Sequence, residues 1–85
     1  PDLIQLKVLF TAQAGEHLFE TPLTENQTLT SQADGKLLLE AEISDTQELR
    51  WWLSGFGSAV EVVEPVGLRT FFESEAELLV KSYFS

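Results

Sequence analysis

The chain has 85 residues and a mass of 9.5 kDa, with 44% hydrophobic residues, enough apolar material for the packed core of one small domain. Fourteen Asp and Glu stand against five Lys and Arg, a formal net charge of −9 that excludes the clustered basic footprint needed for duplex DNA or an anionic membrane. The lack of Cys excludes disulfides, thiolate nucleophiles and Cys-ligated metals, and one His, His17, leaves little for a metal site or a catalytic triad.

Leu3–Phe10 predicts a strand, with Ile4, Leu6, Val8 and Phe10 on one face and Leu3, Gln5, Lys7 and Leu9 on the other. Thr11 is a candidate N-cap for a short helix over residues 12–19, which Gly15 weakens and Pro22 ends. Residues 24–32 are polar and Thr-rich around Leu29 and predict a weak edge strand. Asp34-Gly35 predicts a tight hairpin turn, because this pair tolerates positive φ. Residues 36–44 then predict a strand with Leu37, Leu39, Ala41 and Ile43 on one face.

A helix start follows, with capping-box spacing for both Asp45–Glu48 and Ser44–Gln47. Leu49, Trp52, Leu53 and Phe56 form its apolar stripe, and Gly55 and Gly57 end it. Residues 59–64 predict a short strand, and Pro65 suits the first turn of a last helix. There Leu68, Phe71, Phe72, Ala76, Leu79 and Tyr83 recur with helical period to the end of the chain, a stripe that has to pack on something.

The order is βαββαβ plus a helix, which predicts an α+β, ferredoxin-like sandwich with an additional C-terminal helix and both crossover helices on one sheet face. Gln5, Lys7, Glu40, Glu42 and Glu61 fall on the other face, which reads as a solvated or contact surface. No apolar run approaches the roughly 20 residues of a membrane helix, and no signal peptide is visible. The chain has no Met, so the expectation is either a removed initiator or a piece of something longer.

Few residues promise chemistry. Glu40, Glu42 and Glu61 are the one candidate carboxylate group on the outer face, and the simpler reading is a solvated acidic surface. His17 reads as a surface helix residue. Gly55 and Gly57 lack the spacing and the preceding strand of a dinucleotide loop. The turn over residues 11–15 is where domains of this architecture often seat small molecules, an argument from fold alone. The aromatic residues say more. Trp51 is turned about 100° from Trp52 and leaves the core stripe. Beside Arg50 it either grips a partner or packs under a neighbouring helix. Phe71 and Phe72 diverge by the same angle, which points one inward and one to a docking surface.

The run from Glu48 to Arg69 resembles the C-terminal extension, or WCX domain, of WYL-domain transcriptional regulators. The matching positions are Trp52, Leu53, Phe56, Gly57, Val60, Glu61, Val62, Glu64, Pro65, Leu68, Arg69 and, near the end, Tyr83. The upstream half matches more loosely, through the first strand, the short helix and the Asp34-Gly35 hairpin.

The resemblance implies a ferredoxin-like domain, residues 1–85, from the C-terminus of a longer bacterial, cytoplasmic regulator with a winged helix-turn-helix and a WYL domain upstream. It implies a non-enzymatic role without cofactor or metal, in dimerisation and effector response. The implied partners are the chain's own WYL domain and a second subunit. A nucleotide or nucleic-acid effector would act through the full-length protein, with no duplex DNA or membrane bound by this domain. Arg50, Trp51 and Arg69 are the expected contact residues, and Trp52, Phe56, Gly57 and Pro65 the structural ones. The alternative is a stand-alone ferredoxin-like domain binding a small molecule near residues 11–15. The third option, an enzyme using the acidic outer face, lacks a base–nucleophile pair at working spacing.

Overall fold

Every predicted strand forms, and β1 (Leu3–Phe10) is the one around which the others assemble. A computed structural model of the chain describes residues 3–84. The sheet has four strands in the order β2-β3-β1-β4, where β2 is Thr28–Ser31, β3 is Leu37–Ser44 and β4 is Val60–Glu64. All neighbours are antiparallel. β1 and β3 pair over their full length, from Leu3 opposite Ser44 to Phe10 opposite Leu37.

Three helices complete the mixed α+β fold. They are α1 (Ala12–Gly15), which runs on as a 3-10 turn over Glu16–Phe19, α2 (Gln47–Ser54) and α3 (Val66–Phe84). The alternation of β1 and β3 puts Leu6, Val8, Phe10 and Leu39 on one face, where Val62 of β4 joins them. Leu18, Leu49, Leu53 and Leu68 cover that same face, so all the helical segments lie on one side of the sheet. Phe10, Trp52 and Phe56 meet edge to face, with centroids 5.0 to 6.0 Å apart, the arrangement their quadrupoles favour.

Several local details differ from the sequence reading. The hairpin at Asp34-Gly35 is not a turn with two left-handed residues. Among the described residues only glycines have positive φ, and Gly35 alone adopts it here, at 87°. The Gly35 N–H donates to Gln32 and the Asp34 carboxylate accepts from Lys36 N–H, so Gly35 closes a three-residue loop. The N-cap of α2 is Thr46, whose hydroxyl accepts from Leu49 N–H at 3.1 Å; neither Ser44 nor Asp45 fills that place. Ser44 is still paired in β3, and Asp45 is taken by Arg50.

The largest difference is in α3. Only Leu68 is buried, and Phe71 and Phe72 are half-buried. From Glu73 to Phe84 every residue is exposed, so the second half of the stripe, Ala76, Leu79 and Tyr83, does not pack on this domain. The radius of gyration, 13.1 Å, exceeds the about 12 Å expected of a compact chain this long, in keeping with a protruding helix. Ser85, where the helix was expected to end, and the chain start at Pro1 lie outside the described residues.

Candidate interaction surface

Arg50, Trp51 and Arg69 occupy three different situations. Arg50 is on the flank of α2 that faces α3. Its Nε and Nη2 donate to the two carboxylate oxygens of Asp45 at 3.1 and 2.8 Å, and its guanidinium lies 4.5 Å from the centre of the Phe71 ring. Hydrogen bonding to Arg50 holds the Asp45 carboxyl below its ordinary pKa against the opposing effect of burial, and the same bond raises Arg50. One edge of the guanidinium is thus held by Asp45 and one face lies over Phe71, tying α2 to α3.

Arg69 is also engaged. Its Nη1 donates to Glu61 at 2.8 Å and to the Val62 carbonyl at 3.1 Å, while its Nε donates to Glu73 at 3.2 Å. The Val62 bond has a topological reason. Thr11 N–H donates to Ala59 C=O, and hydrogen-bonded and non-bonded pairs alternate along an antiparallel ladder. Val62, opposite Val8, therefore turns its carbonyl to the open edge of β4, where Arg69 satisfies it. Glu61 and then Glu73 raise the Arg69 pKa through these bonds.

Trp51 is different. It points away from the core stripe of α2 and is 67% exposed. Of the two sequence expectations for it, partner anchor or packing under a helix, its exposure removes the second. Phe71 and Phe72 do not divide into one buried and one exposed ring; both are half-buried, in edge-to-face contact at 5.1 Å.

Between α3 and the body of the domain runs an open groove of about 520 Å³. Leu53, Val60 and Val62 form its floor, and Phe72, Leu79 and Val80 its helical wall. Arg69, Glu61 and Glu73 stand at its side. Sequence reasoning placed Leu79 and Tyr83 on a packing stripe but missed Val80 and the exposure of residues 73–84. The signal was the run Leu78, Leu79, Val80, Tyr83 and Phe84, which is apolar on nearly every side of a helix.

The outer sheet face does not gather Glu61 with Glu40 and Glu42. β1 lies between β3 and β4, and Glu61 stands opposite Leu9, held by Arg69. The register instead shifts between Lys7 and Val8, which brings Glu64 opposite Lys7. Lys7 then lies 3.2 Å from Glu64 and 3.8 Å from Glu40, and Gln5 donates to Glu42 at 2.7 Å. Glu64, then Glu40, raise the Lys7 pKa. The turn over residues 11–15 is filled. Gly15 is buried with Leu37 and Phe10 against it, and Thr11 accepts from Ala14 N–H. A second hollow, about 260 Å³, lies nearby between Leu18, Pro22, Gln27 and Leu29, and residues 11–15 line neither it nor the α3 groove. His17 is exposed on the 3-10 turn.

The family model for the WCX domain matches residues 2–80, nearly the whole chain. The protein belongs to the WCX domain family. None of the curated proteins matches it.

Proposed function

We propose that this chain is a non-enzymatic regulatory domain of a WYL-type transcriptional regulator, providing subunit contacts and part of the effector response. The observation that carries this reading is the WCX match over residues 2–80. The strand order β2-β3-β1-β4 with antiparallel neighbours supports a ferredoxin-like assignment, since a split βαβ sandwich requires this order.

The surface supports a contact role. Trp51 is a large exposed ring on a short helix braced from both sides, by the core through Leu49 and Leu53 and by α3 through Arg50 and Phe71. Such a rigid aromatic residue suits an interface anchor. Arg50 and Arg69 then serve as the braces of this surface, with Trp51 as the contact itself. The outer-face carboxylates form ion-pair and hydrogen-bond ladders with Lys7 and Gln5, as a solvated surface does.

The partners are the regulator's own WYL domain and a second subunit, in the cytoplasm. A nucleotide or nucleic-acid effector bound upstream biases how this domain docks, and docking biases the spacing of the DNA-binding domains. The test is Trp51→Ala in the full-length regulator, read by effector-dependent transcription from its promoter. Loss of the response with the regulator still folded supports the reading; an unchanged response refutes Trp51 as the contact.

A further inference from the structure

The geometry points to Trp51 and Glu48 as a two-part clamp for an arginine side chain, presented by the part of the regulator that lies outside this chain. This rests on the proposed regulatory role and deepens it by naming the chemistry that Trp51 recognises.

Glu48 and Trp51 are three residues apart on α2, about 60° apart around its axis, which puts their Cβ atoms about 5–6 Å from each other. Side chains on a helix lean toward its N-terminus, so the Trp51 ring leans over the turn that carries Glu48. Both residues are exposed, Trp51 by 67%. Among the described residues, no second ring and no cation stacks on Trp51, and Glu48 enters no ion pair. An aromatic face and a carboxylate thus stand side by side, both open to a partner.

The domain already holds one complete set of this kind. The Arg50 guanidinium lies 4.5 Å from the centre of the Phe71 ring, while its Nε and Nη2 donate to the two oxygens of Asp45. The ring takes the flat face and the carboxylate takes the edge, a division that a planar guanidinium permits and a compact ammonium does not. Trp51 and Glu48 present the same two parts on the exposed side of α2, and the Trp ring is the strongest of the aromatic faces for a cation. Arg50 does not reach across to them, because it is held on the flank toward α3.

Charge selects the sign of the occupant. The chain carries −9, a field that draws in a cation and repels an anion. A second copy is the poorer source, since it carries the same −9 and its Lys7, Arg50 and Arg69 are spent in its own ion pairs. A purely apolar surface is poorer too, because docking it on Trp51 would strip water from Glu48 and return no hydrogen bond.

The test uses the full-length regulator and reads the signal level that gives half-maximal transcription, with thermal unfolding of each variant as the check on folding. Trp51→Leu, which keeps an apolar side chain but no ring, is expected to raise that level by about 2- to 30-fold, as Trp51→Ala does, and Trp51→Tyr by less. Glu48→Gln is expected to raise it by about 2- to 10-fold. Both residues act on one guanidinium, so Glu48→Gln adds little once Trp51→Leu is present. A parent-like response from Trp51→Leu overturns the inference. So does a Glu48→Gln variant without effect, or a double variant whose loss is the product of the two single losses. Loss with Trp51→Ala but not with Trp51→Leu replaces the arginine by an apolar contact and leaves the regulatory reading standing. An unchanged response in every Trp51 variant refutes both the clamp and Trp51 as the contact.

Discussion

Arg50 rests its guanidinium 4.5 Å from the centre of the Phe71 ring, and this contact locks α2 against the base of α3. The same group holds Asp45 through two hydrogen bonds. One side chain therefore fixes the start of α2, its flank and the first turns of α3. This places Trp51 on a rigid support and sets the direction in which the α3 arm leaves the domain.

The Asp45–Arg50 pair gives stability a defined acid dependence. The Asp45 carboxyl is depressed in the folded chain, so its contribution is complete above the ordinary carboxylate pKa and fades as pH falls through the lower folded value. Asp45→Asn is expected to cost about 0.5–1 kcal/mol at pH 7, and the difference from the parent is expected to vanish toward pH 2. Urea unfolding at a series of pH values measures it. An equal penalty at acid and neutral pH would assign the cost to packing.

Two glycines make a pair of opposite sign. A Cβ on Gly15 would meet Leu37 Cδ1 at 2.8 Å and Phe10 Cβ at 3.1 Å, so Gly15→Ala is expected to destabilise by about 1–3 kcal/mol despite its better helix propensity. Gly67, in the first turn of α3, has nothing within 4 Å of such a Cβ. Gly67→Ala is expected to stabilise by up to about 1 kcal/mol. Thermal unfolding of the two variants decides both signs.

The cap of α2 is tested by hydroxyl removal. Thr46→Ala leaves Leu49 N–H without its acceptor and is expected to cost about 1 kcal/mol. Ser44→Ala, two residues upstream, is expected to stay within about 0.5 kcal/mol of the parent. The reverse order in chemical denaturation would restore Ser44 as the cap.

Core truncation sets the scale for these effects. Leu53 is fully buried between the sheet and α3, and Leu53→Ala is expected to cost about 2–5 kcal/mol. In a domain this small that is a large share of the total stability, and the melting temperature is expected to fall by at least about 8 °C.

The buried faces of β1 and β3 were legible because a period of two names their inward residues directly, as at Leu6, Val8 and Phe10. The α2 stripe was equally plain at Leu49 and Leu53. Choices between near-equal neighbours were not legible. Ser44, Asp45 and Thr46 all have cap chemistry, and β3 pairing together with Arg50 selects Thr46. The shift that seats Glu64 beside Lys7 is a property of two paired strands and leaves no mark on either one alone. In α3, helical spacing identified an apolar face but said nothing about what covers it. The same limit applies to Arg50 and Arg69, whose types suggested outward contacts while their acceptors lie within the fold.

The most direct measurement is effector-dependent transcription in cells carrying the full-length regulator or a version that lacks this domain. The truncated regulator is expected to be made and folded yet to lose its signal-dependent change in transcription. A truncated regulator that responds like the intact one would contradict it.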